Sequence, residues 1–209
     1  MDEPAAVDPS QSLSSPRFAY PVILDLHDVP VLVVGGGRIG ARKAEGLVAA
    51  GAVVRLVARE VSEFVAAAGV AEVRERAFEE ADLDDMRLVV TATGDAAVDA
   101  EVSAVARARG IWTNAADQPI DCEFILPAVA RVGRVTIAVS TDGASPALAR
   151  ELRNLLAELL TDDLAQLAEQ LAAERAAIRS QGESTEDIDW TERVRAGISE
   201  ALGGRSLAP

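Results

Sequence analysis

Apolar and polar positions along the chain fall into two alternating rhythms. VPVLVV (residues 29–34) is a nearly continuous apolar run that ends in glycines, the pattern of a strand buried on both faces of a parallel sheet. ARKAEGLVAAG (41–51) follows with helical spacing and a glycine beyond its end, and AVVRLVA (52–58) predicts the next strand. EVSEFVAAAG (60–69) predicts a second helix. AEVRERAF (71–78), RLVVTAT (87–93) and IWTNAA (111–116) predict three more strands, with a helix over 95–110 between the last two. YPVILDL (20–26), ahead of this series, is also apolar and β-prone.

Strands alternating with helices predict an α/β, Rossmann-like doubly wound parallel sheet. The rhythm changes after Asp117. EFILPAVARVGRVTIAVST (123–141) is apolar but broken at 131–134 by a hairpin-like turn, and SPALARELRNLLAELL (145–160) predicts a helix with Ser145 as cap and Pro146 in its first turn. Amphipathic helix is expected from Thr161 onward, interrupted near SQGESTED. The expected organisation is a disordered tail (1–17), a dinucleotide-binding domain (18–113), a small α+β dimerisation and active-site segment (114–145) and a C-terminal helical domain (146–209).

Composition narrows the function classes. With a formal net charge of −14 and Lys43 as the only lysine, the chain lacks the clustered positive charge that nucleic acids and anionic membranes require. Such acidity suits a salt-loving host, and a GC-rich genome that replaces lysine with arginine is the alternative reading. There is no membrane-length apolar run and no secretory signal pattern, so a cytoplasmic protein is expected. A single cysteine, Cys122, excludes an internal disulfide framework and a cysteine-rich metal site, and no metal ligands are expected. The only histidine, His27, and Cys122 both read as structural residues.

Candidate chemistry starts with Gly35, Gly37 and Gly40, which form G-x-G-x-x-G between a strand and a helix. The first glycine permits the tight turn, the second lets backbone approach a pyrophosphate, and the third lets helix and strand pack closely. A nucleotide-free glycine turn is the alternative. Near the end of the second strand, where NAD-binding folds place an acid for the adenosine ribose, the chain has Arg59 followed by Glu60. That pair is compatible with NAD or NADP. Asp117 sits in a turn after a predicted strand, where open α/β sheets collect ligands, and VSTDGASPALAR (139–150) is a hydroxyl- and glycine-rich loop entering a helix.

YPVILDL, VLVVGGGRIGARKAEGL, VVTATGD, TNAADQPIDCEFILPA and VSTDGASPALAR together resemble the precorrin-2 dehydrogenase and sirohydrochlorin ferrochelatase family, the N-terminal module of siroheme synthase, over about residues 20–160. The GGG-x-x-x-x-RK and S-P-x-L-A-R blocks are the specific part of the match. The resemblance implies NAD-dependent oxidation of precorrin-2 to sirohydrochlorin, with Fe²⁺ as a possible second substrate, and a homodimer. The methyltransferase module of the fused enzymes is not expected in a chain ending at Pro209.

Carried over by position, Gly35, Gly37, Arg38, Ile39 and Gly40 would hold the pyrophosphate. Arg59 and Glu60 would border the adenosine, and Thr91, Ala92 and Thr93 the nicotinamide. Asp117 would accept a proton, and Thr141, Ser145, Arg150 and Arg153 would meet substrate carboxylates; Arg131 and Arg134 read rather as surface ion pairs. Two other readings compete: a non-catalytic nucleotide-sensing domain, and a ferrochelatase-only relative with a vestigial dinucleotide site.

Overall fold

The computed structural model describes residues 17–203, so the tail expected over 1–17 lies outside the described residues except for Arg17. The chain divides into two compact units, one ending at Leu126 and the other starting at Pro127. This division falls between the boundaries near 113 and 146 expected from the sequence pattern.

The first unit is a five-stranded parallel sheet: β1 (Pro30–Gly36), β2 (Val53–Val61), β3 (Glu72–Glu75), β4 (Leu88–Thr91) and β5 (Trp112–Ala115), in spatial order β3-β2-β1-β4-β5. Helices α1 (Arg38–Ala49), α2 (Glu63–Ala67) and α3 (Ala96–Ala108) connect the strands. The order reverses between β1 and β4, and in such sheets ligands bind in the crevice beyond the carboxyl ends of the strands at that switch point. The apolar run of β1 faces both ways. Val31 and Val33 pack with α1 residues Ala41 and Ala44, whereas Leu32 and Val34 pack with α3 residues Val102 and Ala106. Burial on both faces is what the unbroken apolar run requires.

Two expected elements differ. The segment 20–26 is not a strand: Tyr20 and Ile23 stand 87% and 79% exposed, and Pro21 removes one donor that a sheet edge would need. The second helix does not begin at Glu60. β2 runs on to Val61 because its register shifts opposite the glycine loop, pairing Gly36 with Val61. Gly36 O accepts from the Ser62 amide at 2.9 Å and from Ser62 Oγ at 2.6 Å. Arg59 and Glu60 are therefore strand residues beside the glycine loop.

The second unit pairs β6 (Ala128–Val132) with β7 (Val135–Val139) in an antiparallel hairpin, turning at Gly133 with φ +49°, followed by α4 (Pro146–Ala157), α5 (Asp162–Ser180) and α6 (Thr191–Ala201). The cap read from sequence is present: Ser145 Oγ accepts from the Leu148 amide at 3.2 Å. Arg131 donates to Thr136 Oγ1, and Arg134 pairs with Glu169 at 2.7 Å, so both act as hairpin surface contacts.

A buried carboxylate ties the far side of the sheet together. Asp82 is fully buried, and its oxygens accept from Arg74 Nη1 (2.6 Å), from Arg76 Nη1 and Nη2 (2.7 and 2.6 Å) and from the Glu79 amide (2.9 Å). Burial alone would push this carboxyl up; hydrogen bonds from Arg76, the Glu79 amide and Arg74 outweigh it and bring it to about 2. A group depressed in this way stabilises the fold above its unfolded value and loses that contribution as pH falls through its folded value. Asp82→Asn is expected to lower unfolding free energy at pH 7 by on the order of 2 kcal/mol. It should also flatten the pH dependence of stability between pH 4 and 2, read by chemical denaturation across that range.

Candidate dinucleotide site

At the switch point the glycine loop is shaped by steric exclusion. A Cβ on Gly40 would collide with Gly35 O, and a Cβ on Gly35, whose φ is +124°, would collide with Ala92 O. Neither position accepts another residue without moving backbone. Gly37 is different: its φ of −76° suits any residue, and a Cβ there meets nothing within 4 Å. The space in front of Gly37 is open, so the demand for glycine there comes from something that must approach the backbone closely. A dinucleotide pyrophosphate fits that cradle.

Gly37 is also the residue that starts α1. It offers no side-chain cap, and the first turn of α1 carries no acidic residue. α3, α4 and α5, by contrast, are each capped by an Asp, Ser or Thr oxygen. The first amides of α1 thus have no side-chain cap, at the positive end of a helix dipole.

In front of Gly37 lies a cleft of about 560 Å³ whose walls include Gly35, Gly37, Arg59, Glu60, Thr93 and Asp95. Arg76, held by Asp82, belongs to the same rim. Of the residues expected to hold the cofactor, the structure brings Gly35, Gly37, Arg59, Glu60 and Thr93 together around the cleft. Arg38, Ile39, Gly40, Thr91 and Ala92 do not line it. Arg38 lies over the Phe64 ring, 5.9 Å from its centroid, and Ile39 is exposed. Gly40 serves packing. Thr91 is fully buried with its hydroxyl unpartnered, and its carbonyl accepts from the Ala116 amide at 2.9 Å.

Asp117 occupies the turn after β5, in the left-handed region with φ +60°, exposed to solvent. The turn closes through the Gln118 amide donating to Ala115 O at 3.3 Å. Cys122 anchors it from beneath: its buried Sγ accepts from the Ala115 amide at 3.2 Å. Burial pushes the Cys122 thiol up, which keeps it protonated and structural.

Two residues beside this turn escaped the sequence reading. Lys43 on α1 is half-buried; burial and the neighbouring Arg42 lower its ammonium, while the charges of Asp117 and Cys122 act the opposite way. Its solitary status in the composition was the available signal. Asp99 on α3 is 2% exposed and looked like one acid among many on a solvated helix.

The remaining expected residues lie in the second unit. Thr141 Oγ1 accepts from the Ser145 amide and donates to Ser145 O, both at 3.1 Å, so these two close the loop ahead of α4. Arg150 is exposed and pairs with Glu151 at 3.6 Å, whereas Arg153 holds a buried Nε without a hydrogen-bond partner. Among the described residues no group of His, Cys, Asp or Glu has a metal-binding arrangement, and no helix is long and apolar enough to cross a membrane.

Comparisons with known proteins place these features among relatives. A family described as putative NAD(P)-binding matches residues 22–128, and one described as the central part of a sirohaem biosynthesis protein matches 132–159. The chain is 40% identical over 162 residues to siroheme synthase of Methylococcus capsulatus, covering 76% of this chain and 34% of that protein. It is 38% identical over 195 residues to siroheme synthase of Methylobacillus flagellatus, covering 90% and 42%. The chain thus spans well under half the length of these relatives. Among solved structures, SirC, a precorrin-2 dehydrogenase, matches with TM-score 0.65 and 31% identity, over 87% of this chain and 88% of that one.

The glycine geometry separates fold from binding. Gly37→Val is expected to leave thermal stability within a few degrees of the wild type and to weaken dinucleotide binding by at least about thirtyfold, because it fills the cradle. Gly40→Ala should instead cost about 1–3 kcal/mol of stability by overpacking. Calorimetric titration with NAD⁺ and thermal unfolding of both variants read the two effects apart.

Proposed function

This chain belongs to the NAD(P)-binding family of siroheme biosynthesis that includes precorrin-2 dehydrogenase, and on that premise we propose that it oxidises precorrin-2 to sirohydrochlorin with NAD⁺. The observation that carries this reading is the open cradle at Gly37 in front of uncapped helix amides, next to a turn that presents Asp117. The bound nicotinamide would supply a two-electron acceptor for a hydride. Oxidation breaks a C–H bond of the macrocycle, sends the hydride and its electron pair to the cofactor, and releases one proton from the ring system.

Asp117 is the group we assign to take that proton. It is exposed, so a substrate can reach it, and Lys43 lies close enough for its charge to be felt. Arg59 and Glu60 border the adenosine end, where Glu60 offers a carboxylate to the ribose hydroxyls, which supports NAD. Thr141 and Ser145 are assigned as substrate contacts and Arg153 as a carboxylate anchor, its Nε being buried and unpartnered; Arg150 is the weaker anchor because Glu151 already holds it.

Fe²⁺ enters as a second substrate, met by Asp117 and the macrocycle's own nitrogens. We also assign a homodimer. Leu148, Leu152, Leu155 and Leu156 form one stripe on α4 and remain 37–62% exposed, a seam suited to a second copy. A cytoplasmic location fits the nicotinamide pool that such a reaction draws on.

The test is anaerobic incubation with precorrin-2 and NAD⁺ or NADP⁺, following absorbance of the reduced nicotinamide, and then Fe²⁺ addition. Reduction of NAD⁺ supports the assignment; no reduction of either dinucleotide at low or high salt overturns it. Asp117→Ala is expected to lower kcat by about 10²–10⁴-fold at unchanged NAD⁺ affinity. Sedimentation should show a dimer that Leu155→Glu dissociates.

A further inference from the structure

Asp99 is a buried carboxylate with no ion-pair partner among the described residues. It is 2% exposed, and each hydrogen bond to its side chain comes from a neutral donor. Oδ1 accepts from the Thr93 amide at 3.2 Å and from Thr93 Oγ1 at 2.8 Å; Oδ2 accepts from Gln118 Nε2 at 3.5 Å. Burying a carboxylate without a counter-ion is unfavourable unless its hydrogen bonds compensate, and the first turns of α3 help only modestly through the helix dipole. The fold does not need a charge here, because α3 already has its cap in Asp95.

What the carboxylate joins is informative. Thr93 leaves β4 and lines the dinucleotide cleft, while Gln118 follows Asp117 in the turn after β5. These two segments come from the ends of neighbouring strands, and Asp99 is the side chain that reaches both. We propose that Asp99 is a positioning residue: it brackets the Thr93 loop to the Gln118 turn and so fixes the distance between the nicotinamide end of the cleft and the Asp117 carboxylate. This inference rests on the dehydrogenase reading above. Hydride and proton leave the same substrate, so an error of about 1 Å between their two acceptors would cost on the order of 10²-fold in rate.

The experiment uses the full chain and three variants. Asp99→Ala removes the bracket from α3, and Gln118→Leu removes one arm at a half-exposed position where folding is not at risk. Asp99→Asn keeps an acceptor for Thr93 and presents an amide that Gln118 can meet by turning its own. With precorrin-2 and NAD⁺, Asp99→Ala and Gln118→Leu are each expected to lower kcat at least about tenfold, with NAD⁺ affinity changed less than about threefold. Their double variant should lose no more than Asp99→Ala alone, and Asp99→Asn should recover kcat to within about threefold of wild type.

Amide hydrogen exchange gives an arm independent of turnover: Asp99→Ala should speed exchange at both the Thr93 amide and the 116–118 turn. Wild type that reduces no dinucleotide sinks the dehydrogenase reading, and the exchange arm then decides the bracket by itself. Unchanged exchange at either segment overturns the bracket. So does an active enzyme in which Gln118→Leu keeps full kcat, or one in which Asp99→Asn is as impaired as Asp99→Ala.

Discussion

The close approach of three backbone segments governs this molecule. Gly40 sits against the Gly35 carbonyl and Gly35 against the Ala92 carbonyl, each near enough to exclude even a methyl group. That contact seats the start of α1 between β1 and β4, at the place where the strand order reverses. With α1 held there, no side chain caps its first amides, and Gly37 at its start lines a cleft. Gly37, alone of the three, is kept free by the space it leaves rather than by a clash. A single steric arrangement thus yields both the packing of the sheet and its affinity for an anion.

Buried carboxylates hold the walls of that cleft, each by a different chemistry. Asp82 gathers Arg74 and Arg76, and a full charge complement makes it a structural anchor that stays ionised to low pH. Asp99 gathers only neutral donors, and these belong to segments that a reaction would require to be in register. In a chain with 34 acidic and 20 basic residues, the unusual carboxylates are marked by burial and partners, not by number. Lys43 gives the complementary case, a lone ammonium half-withdrawn from water beside an acid turn.

The parallel sheet and the glycine loop were legible because each depends on local pattern: unbroken apolar runs, and glycines at fixed offsets. The turn that carries Asp117 was legible from its place after a strand. What escaped depended on pairings distant in sequence. The extension of β2 to Val61 follows from Gly36 bonding Ser62, 26 positions away, and no local propensity reports it. YPVILDL has strand composition, yet Tyr20 and Ile23 stand in solvent and Pro21 has no amide to donate. The place of Arg38 over the Phe64 ring, 26 positions on, is likewise a pairing no local pattern reports. Asp99 was invisible because a helix acid declares its role only through the loops that fold over it.

The central claim is that one hydride passes from the tetrapyrrole to the dinucleotide lying against Gly37. Isotope tracing tests it most directly: precorrin-2 carrying deuterium at the carbon that is oxidised, one anaerobic turnover with NAD⁺, and mass analysis of the reduced cofactor. Deuterium recovered at nicotinamide C4 is the expected result. Sirohydrochlorin formed with the deuterium lost to solvent, and no label in the cofactor, would contradict it.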